Sequence, residues 1–273
     1  MDAGVPSHNH TVCVYSTRSG RCANGTPASC ITNPESNILN RESCILNPKS
    51  HKFQPEYDQK LHLSGYNIPA MHDQQHEHYY TAQPSSLRQP VIYEDSLRGM
   101  SFRFWTDHGV FSRGHTDHGT DELVQAMQLD GARHILDLGC GYGIIGIVAA
   151  KLAPAAQVVL SDPNERAVEL ARQNIQTNGV HNAEVRPGEN YAPVVGERFD
   201  VILTNPPIRA GNQVVFALIA EAPAHLTEDG RFYLVAKTKQ GARSFARQME
   251  AHFTLVTQVG QGSGYRVYMG EVR

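Results

Sequence analysis

The residues best suited to chemistry are a tetrapeptide, Asn205-Pro206-Pro207-Ile208, which directly follows an apolar run at residues 200–204. Consecutive prolines stiffen the chain and lack N–H donors, so the backbone carbonyls are left free to accept hydrogen bonds. Asn205 adds a side-chain carbonyl. A rigid set of acceptors can grip a planar amine and direct its nitrogen lone pair at an electrophile, without a strong base. We therefore predict that these four residues are catalytic; a plain loop at a strand end is the alternative.

A second candidate site follows the apolar run at residues 134–138, where Gly139, Gly141 and Gly143 stand at alternate positions before an Ala- and Ile-rich segment. This pattern predicts a strand, a tight turn and a helix. The glycines allow a sharp bend and close approach to a ligand, and the helix start offers unpaired N–H groups. Asp137, before the first glycine, would repel a pyrophosphate and attract an ammonium. The predicted ligand is nucleotide-like, with an amino acid end rather than phosphates.

Two further acidic positions complete the predicted ligand site. Asp162 ends the next strand, about twenty residues on, where a carboxylate accepts hydrogen bonds from ribose hydroxyls. A helix cap is the alternative role for Asp162, and the two roles are compatible. Asn164 is included among the predicted cofactor contacts. Glu189 follows the third strand and is predicted to reach a purine's exocyclic amine, although Gly188 and Asn190 beside it also simply favour a turn.

The elements that position these residues alternate between strand and helix from residue 134 onward, which predicts an α/β fold: a doubly wound, mostly parallel sheet covered on both faces. Predicted strands are residues 134–138, 158–161, 183–186, 200–204 and 231–237; predicted helices are 144–152, 165–178, 214–226 and 240–251. Apolar runs at 253–257 and 265–269 predict a C-terminal hairpin that adds one antiparallel strand. Upstream, we predict a hairpin from residues 91–93 and 101–105, then a helix from Asp117 to Leu129, capped by Thr116 or Asp117.

Residues 1–77 contain much Ser, Asn, Pro, Thr and Gly, with few large aliphatic side chains. This composition cannot bury enough apolar surface to offset the entropy lost on ordering. We predict a disordered N-terminal extension over residues 1–77 and one folded domain over residues 78–273. An alternative hypothesis is that translation begins at Met71, where the composition changes abruptly; native peptides from residues 1–70 would exclude it.

The formal net charge of -3 comes from 24 Lys and Arg against 27 Asp and Glu. No bulk basic field indicates a nucleic acid partner, so any RNA contact must be local. Several basic residues could gather near the strand ends as a phosphate-binding rim, or could be plain solvated surface. They are Arg88, Arg98, Arg103, Arg113, Arg209, Lys237, Lys239 and Arg243.

Cysteine usage and the N-terminus indicate a reduced, cytoplasmic protein. The five cysteines form no CxxC pair, and the first residues lack the basic start and apolar core of a secretory signal. No apolar run is long enough to span a membrane. The cysteines are unevenly spaced, and His72, His76 and His78 have no carboxylate or cysteine at ligand spacing. We therefore expect neither a membrane partner nor a metal.

Three segments together resemble a class I S-adenosylmethionine-dependent methyltransferase of the amino-methylating kind. They are Asp137-Leu-Gly-Cys-Gly-Tyr-Gly143, Ser161-Asp162 and Asn205-Pro-Pro-Ile208. From about His78 to Arg273 the chain is similar to the small-subunit ribosomal RNA guanine-N2 methyltransferase family. The similar segments include His78-Tyr79-Tyr80, Asp107-His-Gly-Val-Phe-Ser112, Asn205-Pro-Pro-Ile-Arg-Ala-Gly211 and Thr238-Lys-Gln-Gly-Ala242. Within them, Gly109-Val-Phe-Ser112 and Arg209-Ala-Gly211 are the family-specific part.

The resemblance implies a Rossmann-like, seven-stranded fold that binds S-adenosylmethionine. Asp137 and the glycines Gly139, Gly141 and Gly143 would surround its methionine end, with Asp162 at the ribose and Glu189 at the adenine edge. Asn205 would contact the cofactor and, with Pro206, hold the target nitrogen. The fourth motif position often carries a stacking aromatic ring, which Ile208 cannot supply. Substrate contacts therefore pass to Phe111, Tyr80 and Arg209, with residues 78–116 as a substrate-side extension.

The implied acceptor is guanine N2 in small-subunit ribosomal RNA, and the implied partner is that RNA or the small ribosomal subunit. Methylation of a protein glutamine nitrogen or of adenine N6 is the alternative, because enzymes of both kinds use an Asn-Pro-Pro site. A non-catalytic RNA-binding or ribosome assembly factor that keeps only the cofactor pocket is an alternative from another class.

Overall fold

The computed structural model describes residue 82 and residues 84–272. The predicted disorder of residues 1–77, the hypothesis of a start at Met71, the histidines at 72–78 and the substrate role of Tyr80 all lie outside the described residues.

The described chain begins with an antiparallel hairpin of β1 (Val91–Leu97) and β2 (Met100–Thr106), as the sequence predicts. A seven-stranded sheet and its helices follow. In chain order these are α1 (His118–Ala126), β3 (His134–Leu138), α2 (Ile144–Leu152), β4 (Gln157–Asp162), α3 (Glu165–Thr177), β5 (Ala183–Pro187), β6 (Phe199–Thr204), α4 (Asn212–Glu221), β7 (Leu226–Lys237), α5 (Ala242–Glu250), β8 (Leu255–Gly262) and β9 (Tyr265–Glu271).

The strand order β5-β4-β3-β6-β7-β9-β8 confirms the predicted fold class. The pairs from β5 to β7 are parallel, and β9 pairs antiparallel with both β7 and β8. The chain order reverses between β3 and β6, and such a reversal opens a crevice outside the carboxyl ends of the strands. The predicted glycine turn follows β3, and the predicted catalytic tetrapeptide follows β6. The topology therefore brings both candidate segments to one crevice.

Both faces of the sheet are buried, which explains the continuous apolar runs of its strands. Ile135 belongs to a core cluster with side chains of α1, α2 and α3, whereas its neighbour Leu136 belongs to a second cluster with those of α4 and α5. Successive side chains of a strand point to opposite faces, so β3 divides between the two layers. Among the described residues, no helix is long and apolar enough to cross a membrane.

Two helices, α1 and α4, end several residues earlier than predicted. The predicted helix over 214–226 ends at Glu221 and gives way to a 3-10 turn over Ala222–His225. Pro223 supplies no N–H to continue the α-helical hydrogen bonds. Helix α1 ends at Ala126 rather than Leu129, because Met127 is extended.

The β1–β2 hairpin stays outside the large sheet and attaches to α3 through side-chain amides. The side-chain amide of Asn174 accepts from the N–H of Trp105 at 2.7 Å and donates to the carbonyl of Trp105 at 2.9 Å. The side-chain amide of Asn178 accepts from the N–H of Arg103 at 3.0 Å and donates to the carbonyl of Arg103 at 2.9 Å. Four residues of helix rise about 6 Å, close to the ~6.6 Å rise of two strand residues, so the amides match alternate residues of β2. The hairpin is thereby fixed beside the glycine turn.

Candidate active site

The glycine turn after β3 faces an open cavity. Gly139 and Gly141 line the cavity with φ of 72° and 57°, and no atom of the described residues lies within 4 Å of where a Cβ would stand on either. A Cβ on Gly143, by contrast, would lie 3.2 Å from side-chain atoms of Ala171 and Leu160. The first two glycines therefore leave space for a ligand, whereas the third permits packing of α2 against the sheet.

Asp137 lies beneath the turn rather than in the cavity lining. Its Oδ2 accepts from the N–H of Gly146 at 2.8 Å, and its Oδ1 has no hydrogen-bond partner among the described residues. Burial raises the pKa of Asp137 from 3.8 to about 7. The carboxyl orders the first turn of α2, and its unpaired oxygen makes the site attractive to a cation.

Asp162, at the end of β4, does line the cavity, and it joins two loops. Its Oδ2 accepts from the N–H of Gly141 at 2.8 Å, and its Oδ1 from that of Asn164 at 2.9 Å. Burial raises its pKa from 3.8 to about 6, although these bonds oppose the shift. The carboxyl is therefore rigid at the position predicted for ribose binding.

The structure does not bring Asn164 and Glu189 into the cavity lining. Asn164 is buried, caps α3 by accepting from the N–H of Arg166 and of Ala167, and donates from its amide to the carbonyl of Gly109 at 2.8 Å. Its side chain holds the loop before α1, and its contact with the cofactor stays a prediction. Glu189 is exposed and is not among the described residues that line the cavity, and its contact with adenine stays a prediction.

The predicted catalytic segment lines the same cavity as Gly139, Gly141 and Asp162. The Nδ2 of Asn205 donates to Thr120 Oγ1 at 3.1 Å and to Asp117 Oδ2 at 3.4 Å. The carbonyl of Pro206 is not wholly free as predicted, because it accepts from the N–H of Ile208 at 2.8 Å in a γ-turn centred on Pro207. A carbonyl oxygen has two lone pairs, so one acceptor position remains on Pro206.

The loop between β2 and α1 closes another side of the cavity. Phe111 and Ser112 of this loop line the cavity, as do Ile208 and Arg209 after β6. Tyr142, within the glycine turn, fixes this loop: its hydroxyl lies 3.0 Å from the carbonyl oxygens of Ser112 and of His115. The structure thus places Phe111 and Arg209 in the cavity where substrate contacts are predicted.

The basic residues sort into two groups. Four make other contacts: Arg88 pairs with Glu169, Arg103 with Glu94, Arg98 donates to carbonyls at the end of α1, and Arg113 donates to the carbonyl of Gln89. Arg209 and Lys237 line the cavity instead, and Lys239 and Arg243 are exposed. Of the eight residues, Arg209 and Lys237 are therefore the ones placed where the predicted basic rim would face the cavity.

Several cavity residues carried no predicted ligand contact, namely Asp117 and Thr120 at the start of α1, Tyr142, Gln240 and Tyr265. Asp117 was predicted only as a helix cap, and it does cap α1.

Comparison with known proteins bears on this site. A family model described as "Methyltransferase small domain" matches residues 101–269. The uncharacterised protein YbxB of Bacillus subtilis (strain 168) is 37% identical over 70% of this chain and 96% of its own length. Ribosomal RNA small subunit methyltransferase C of Haemophilus influenzae (strain PittGG) is 32% identical over 58% of this chain and 49% of its own. The chain spans about half the length of such methyltransferase C relatives.

Among solved structures, the 16S rRNA N2 G1207 methyltransferase of T. thermophilus, in complex with AdoMet and guanosine, has a TM-score of 0.61 and 26% identity over 70% of this chain and 52% of that one. A putative SAM-dependent methyltransferase from Streptococcus mutans, at 17% identity and a TM-score of 0.53, shares the fold. The predictions of a class I methyltransferase fold and of a methyltransferase that uses S-adenosylmethionine are confirmed. The chain belongs to the methyltransferase small domain family.

Proposed function

We propose that this chain transfers a methyl group from S-adenosylmethionine to the N2 amine of guanine in small-subunit ribosomal RNA. The observation that carries the proposal is that Asn205-Pro206-Pro207-Ile208 lines one cavity with Gly139, Gly141 and Asp162. A donor site and an amine-gripping segment are thereby adjacent. The T. thermophilus and methyltransferase C relatives support ribosomal RNA as the acceptor, and a cytoplasmic location follows from it.

The residues present fit S-adenosylmethionine. The open space over Gly139 and Gly141 suits the methionine part, the unpaired oxygen of buried Asp137 lies beneath that part, and Asp162 suits the ribose hydroxyls. When bound, the cofactor supplies an electrophilic methyl group on a sulfonium. We place the adenine beyond Asp162, against Pro163 and Ala167, rather than at Glu189.

The chain's own residues act by positioning. The target amine donates one hydrogen bond to the side-chain carbonyl oxygen of Asn205 and one to the backbone carbonyl oxygen of Pro206. These two hydrogen bonds direct the lone pair of the amine nitrogen at the methyl carbon. The N–C bond forms as the C–S bond breaks, and the amine nitrogen then loses one proton to water. Phe111 supplies the aromatic face that Ile208 lacks. Arg209 and Lys237 contact RNA phosphates at the mouth.

The test is a tritiated methyl-transfer assay on unmodified small-subunit ribosomal RNA, small subunits, release factor and DNA, followed by digestion and chromatography of nucleosides. Label in N2-methylguanosine is the expected result. Label only in protein, or in N6-methyladenosine, would replace guanine N2 by one of the alternatives. No label despite cofactor binding would favour the assembly factor.

A further inference from the structure

The Asn205 carboxamide is held by its nitrogen end. Its Nδ2 donates to Thr120 Oγ1 at 3.1 Å and to Asp117 Oδ2 at 3.4 Å. A carboxamide turned by 180° would oppose its carbonyl oxygen to the Asp117 carboxylate, which only accepts hydrogen bonds. The carboxylate therefore selects the orientation in which the carbonyl oxygen of Asn205 is available to a target amine.

Asp117 is itself held more firmly than a helix cap requires. Its Oδ2 accepts from the N–H of Gly119 at 2.9 Å and of Thr120 at 3.3 Å, as a cap does. Its Oδ1 accepts from the Tyr265 hydroxyl at 2.9 Å, from a residue 148 positions away. With donors on both oxygens, this carboxylate orients its neighbours and is poorly placed to take a proton from substrate.

The approach of Tyr265 depends on Gly119. A Cβ at position 119 would lie 2.6 Å from Cε1 of the Tyr265 ring, closer than carbon atoms can pack. The Nζ of Lys237 lies 5.3 Å from the centre of the same ring. The first turn of α1, the start of β9 and the end of β7 thus meet at one point beside Asn205. Capping alone explains neither the glycine nor the tyrosine.

We propose that Asp117, held by Tyr265, is a positioning residue that fixes the orientation of the Asn205 carboxamide for methyl transfer. This inference rests on the proposed function of Asn205 as the group that grips the amine. Asp117 touches Asn205 and acts through it. The network links the catalytic segment after β6 to α1 and to the C-terminal hairpin, so that the orientation of one amide is set by the folded sheet.

The test compares Asp117→Ser with Asp121→Ser in the full chain. Serine caps a helix as well as aspartate does but is too short to reach Asn205 and Tyr265. Asp121 lies in the first turn of the same helix and outside the cavity lining. We expect Asp117→Ser to lower kcat about 10- to 100-fold, with the KM for RNA and the Kd for S-adenosylhomocysteine unchanged within about twofold. Asp121→Ser should behave as the unaltered chain.

A matched pair tests the tyrosine hydroxyl. Tyr265→Phe should lower kcat about three- to tenfold, whereas Tyr268→Phe, in the same strand and outside the lining, should not. Because Asp117 acts through Asn205, Asp117→Ser should cause no further loss of kcat in an Asn205→Ala background. Additive losses in the double variant, or an unchanged kcat in Asp117→Ser, would overturn the proposal.

The side-chain amide signal of Asn205 in ¹⁵N–¹H spectra, assigned by its absence in Asn205→Ala, gives a measurement independent of activity. It should shift in Asp117→Ser and Tyr265→Phe and stay in place in Asp121→Ser and Tyr268→Phe. A signal that stays in place in Asp117→Ser overturns the orienting role. A signal that shifts in a chain that labels no RNA overturns the proposed function instead, so the two failures are distinguishable.

Discussion

The proposed cofactor end of the cavity, at Gly139, Gly141 and Asp162, and its proposed acceptor end, at Asn205, are built in different ways. At the cofactor end, Asp162 accepts from Gly141, which is 21 residues away across two adjacent parallel strands. At the acceptor end the hydrogen bonds join residues much further apart in sequence. Asn205 is 85 residues from Thr120 and 88 from Asp117, and Tyr265 is 148 residues from Asp117. The first end is mostly backbone amides and a buried carboxyl; the second is a network of side chains.

This difference predicts that the two ends fail separately. A turn fixed by its own glycines and by one neighbouring strand should keep binding cofactor when distant side chains are changed. A side-chain network drawn from α1, β6 and β9 should lose transfer when any member is altered, because positioning tolerates little displacement. Variants at each end therefore test the division directly.

The largest expected effect is at the acceptor end. Asn205→Ala removes the carbonyl that we propose grips the amine and should lower kcat about 10²- to 10³-fold, as loss of one aligned polar group does in other active sites. The Kd for S-adenosylmethionine, measured by calorimetry, should change little. Loss of cofactor binding in this variant would show that Asn205 belongs to the cofactor end and that the division between the two ends is wrong.

At the cofactor end, Asp162→Asn should weaken cofactor binding about 10- to 100-fold, since hydrogen bonds to a charged group contribute about 1.5–3 kcal/mol. At saturating cofactor its kcat should stay close to that of the unaltered chain. Glu189→Gln is the matched control, because it makes the same change on an exposed residue outside the cavity lining. An equal loss of affinity in Glu189→Gln would restore the role predicted for that residue from sequence.

The same division explains what the sequence predicts well. The alternation of strands and helices, the C-terminal hairpin and the glycine turn depend on periodicity and on backbone geometry within short segments, and the structure confirms the predicted fold. The predicted ends of α1 and α4 were too late in the sequence. Extended Met127 ends α1, and Pro223 follows the end of α4, in both cases before the apolar pattern ends.

The side-chain network was beyond reach of the sequence for a physical reason. Asp117 fits the pattern of an ordinary helix cap, and nothing local distinguishes it from one that also faces Asn205. Tyr265 begins a strand with an unremarkable apolar pattern. The sequence likewise did not reveal that the side-chain amide of Asn164 donates to the carbonyl of Gly109 inside the protein. Such roles depend on which elements pack together.

Tyr142 is where the division between the two ends is weakest, since it lies in the glycine turn and holds the acceptor-side loop. Tyr142→Phe removes a hydroxyl bonded to Ser112 and His115 and to the hydroxyl of Tyr93. It should lower the free energy of unfolding by about 1–2 kcal/mol in urea titrations and raise the KM for RNA about threefold. A loss of stability with an unchanged KM would mean that Asn164 and its bond to Gly109 suffice to hold the loop.

A dependence of cofactor affinity on pH should appear at the cofactor end alone. Burial raises the pKa of Asp162 to about 6 and that of Asp137 to about 7, so in the free protein both carboxyls ionise only as the pH rises through this range. Ribose hydroxyls and an ammonium bind the ionised form better, so cofactor affinity should rise several-fold, up to about tenfold, between pH 5 and pH 8.

The stability of the free protein should change in the opposite sense. A carboxyl whose pKa is raised on folding stabilises the fold most below its ordinary value of 3.8, and that contribution is lost as the pH rises through the folded value. Calorimetric Kd values and urea titrations over this pH range measure both trends. Asp162→Asn should remove the change near pH 6 from the pH profile of cofactor affinity and from that of stability, while Glu189→Gln leaves both profiles intact. A flat affinity profile in the unaltered chain would show that neither carboxyl changes charge on cofactor binding.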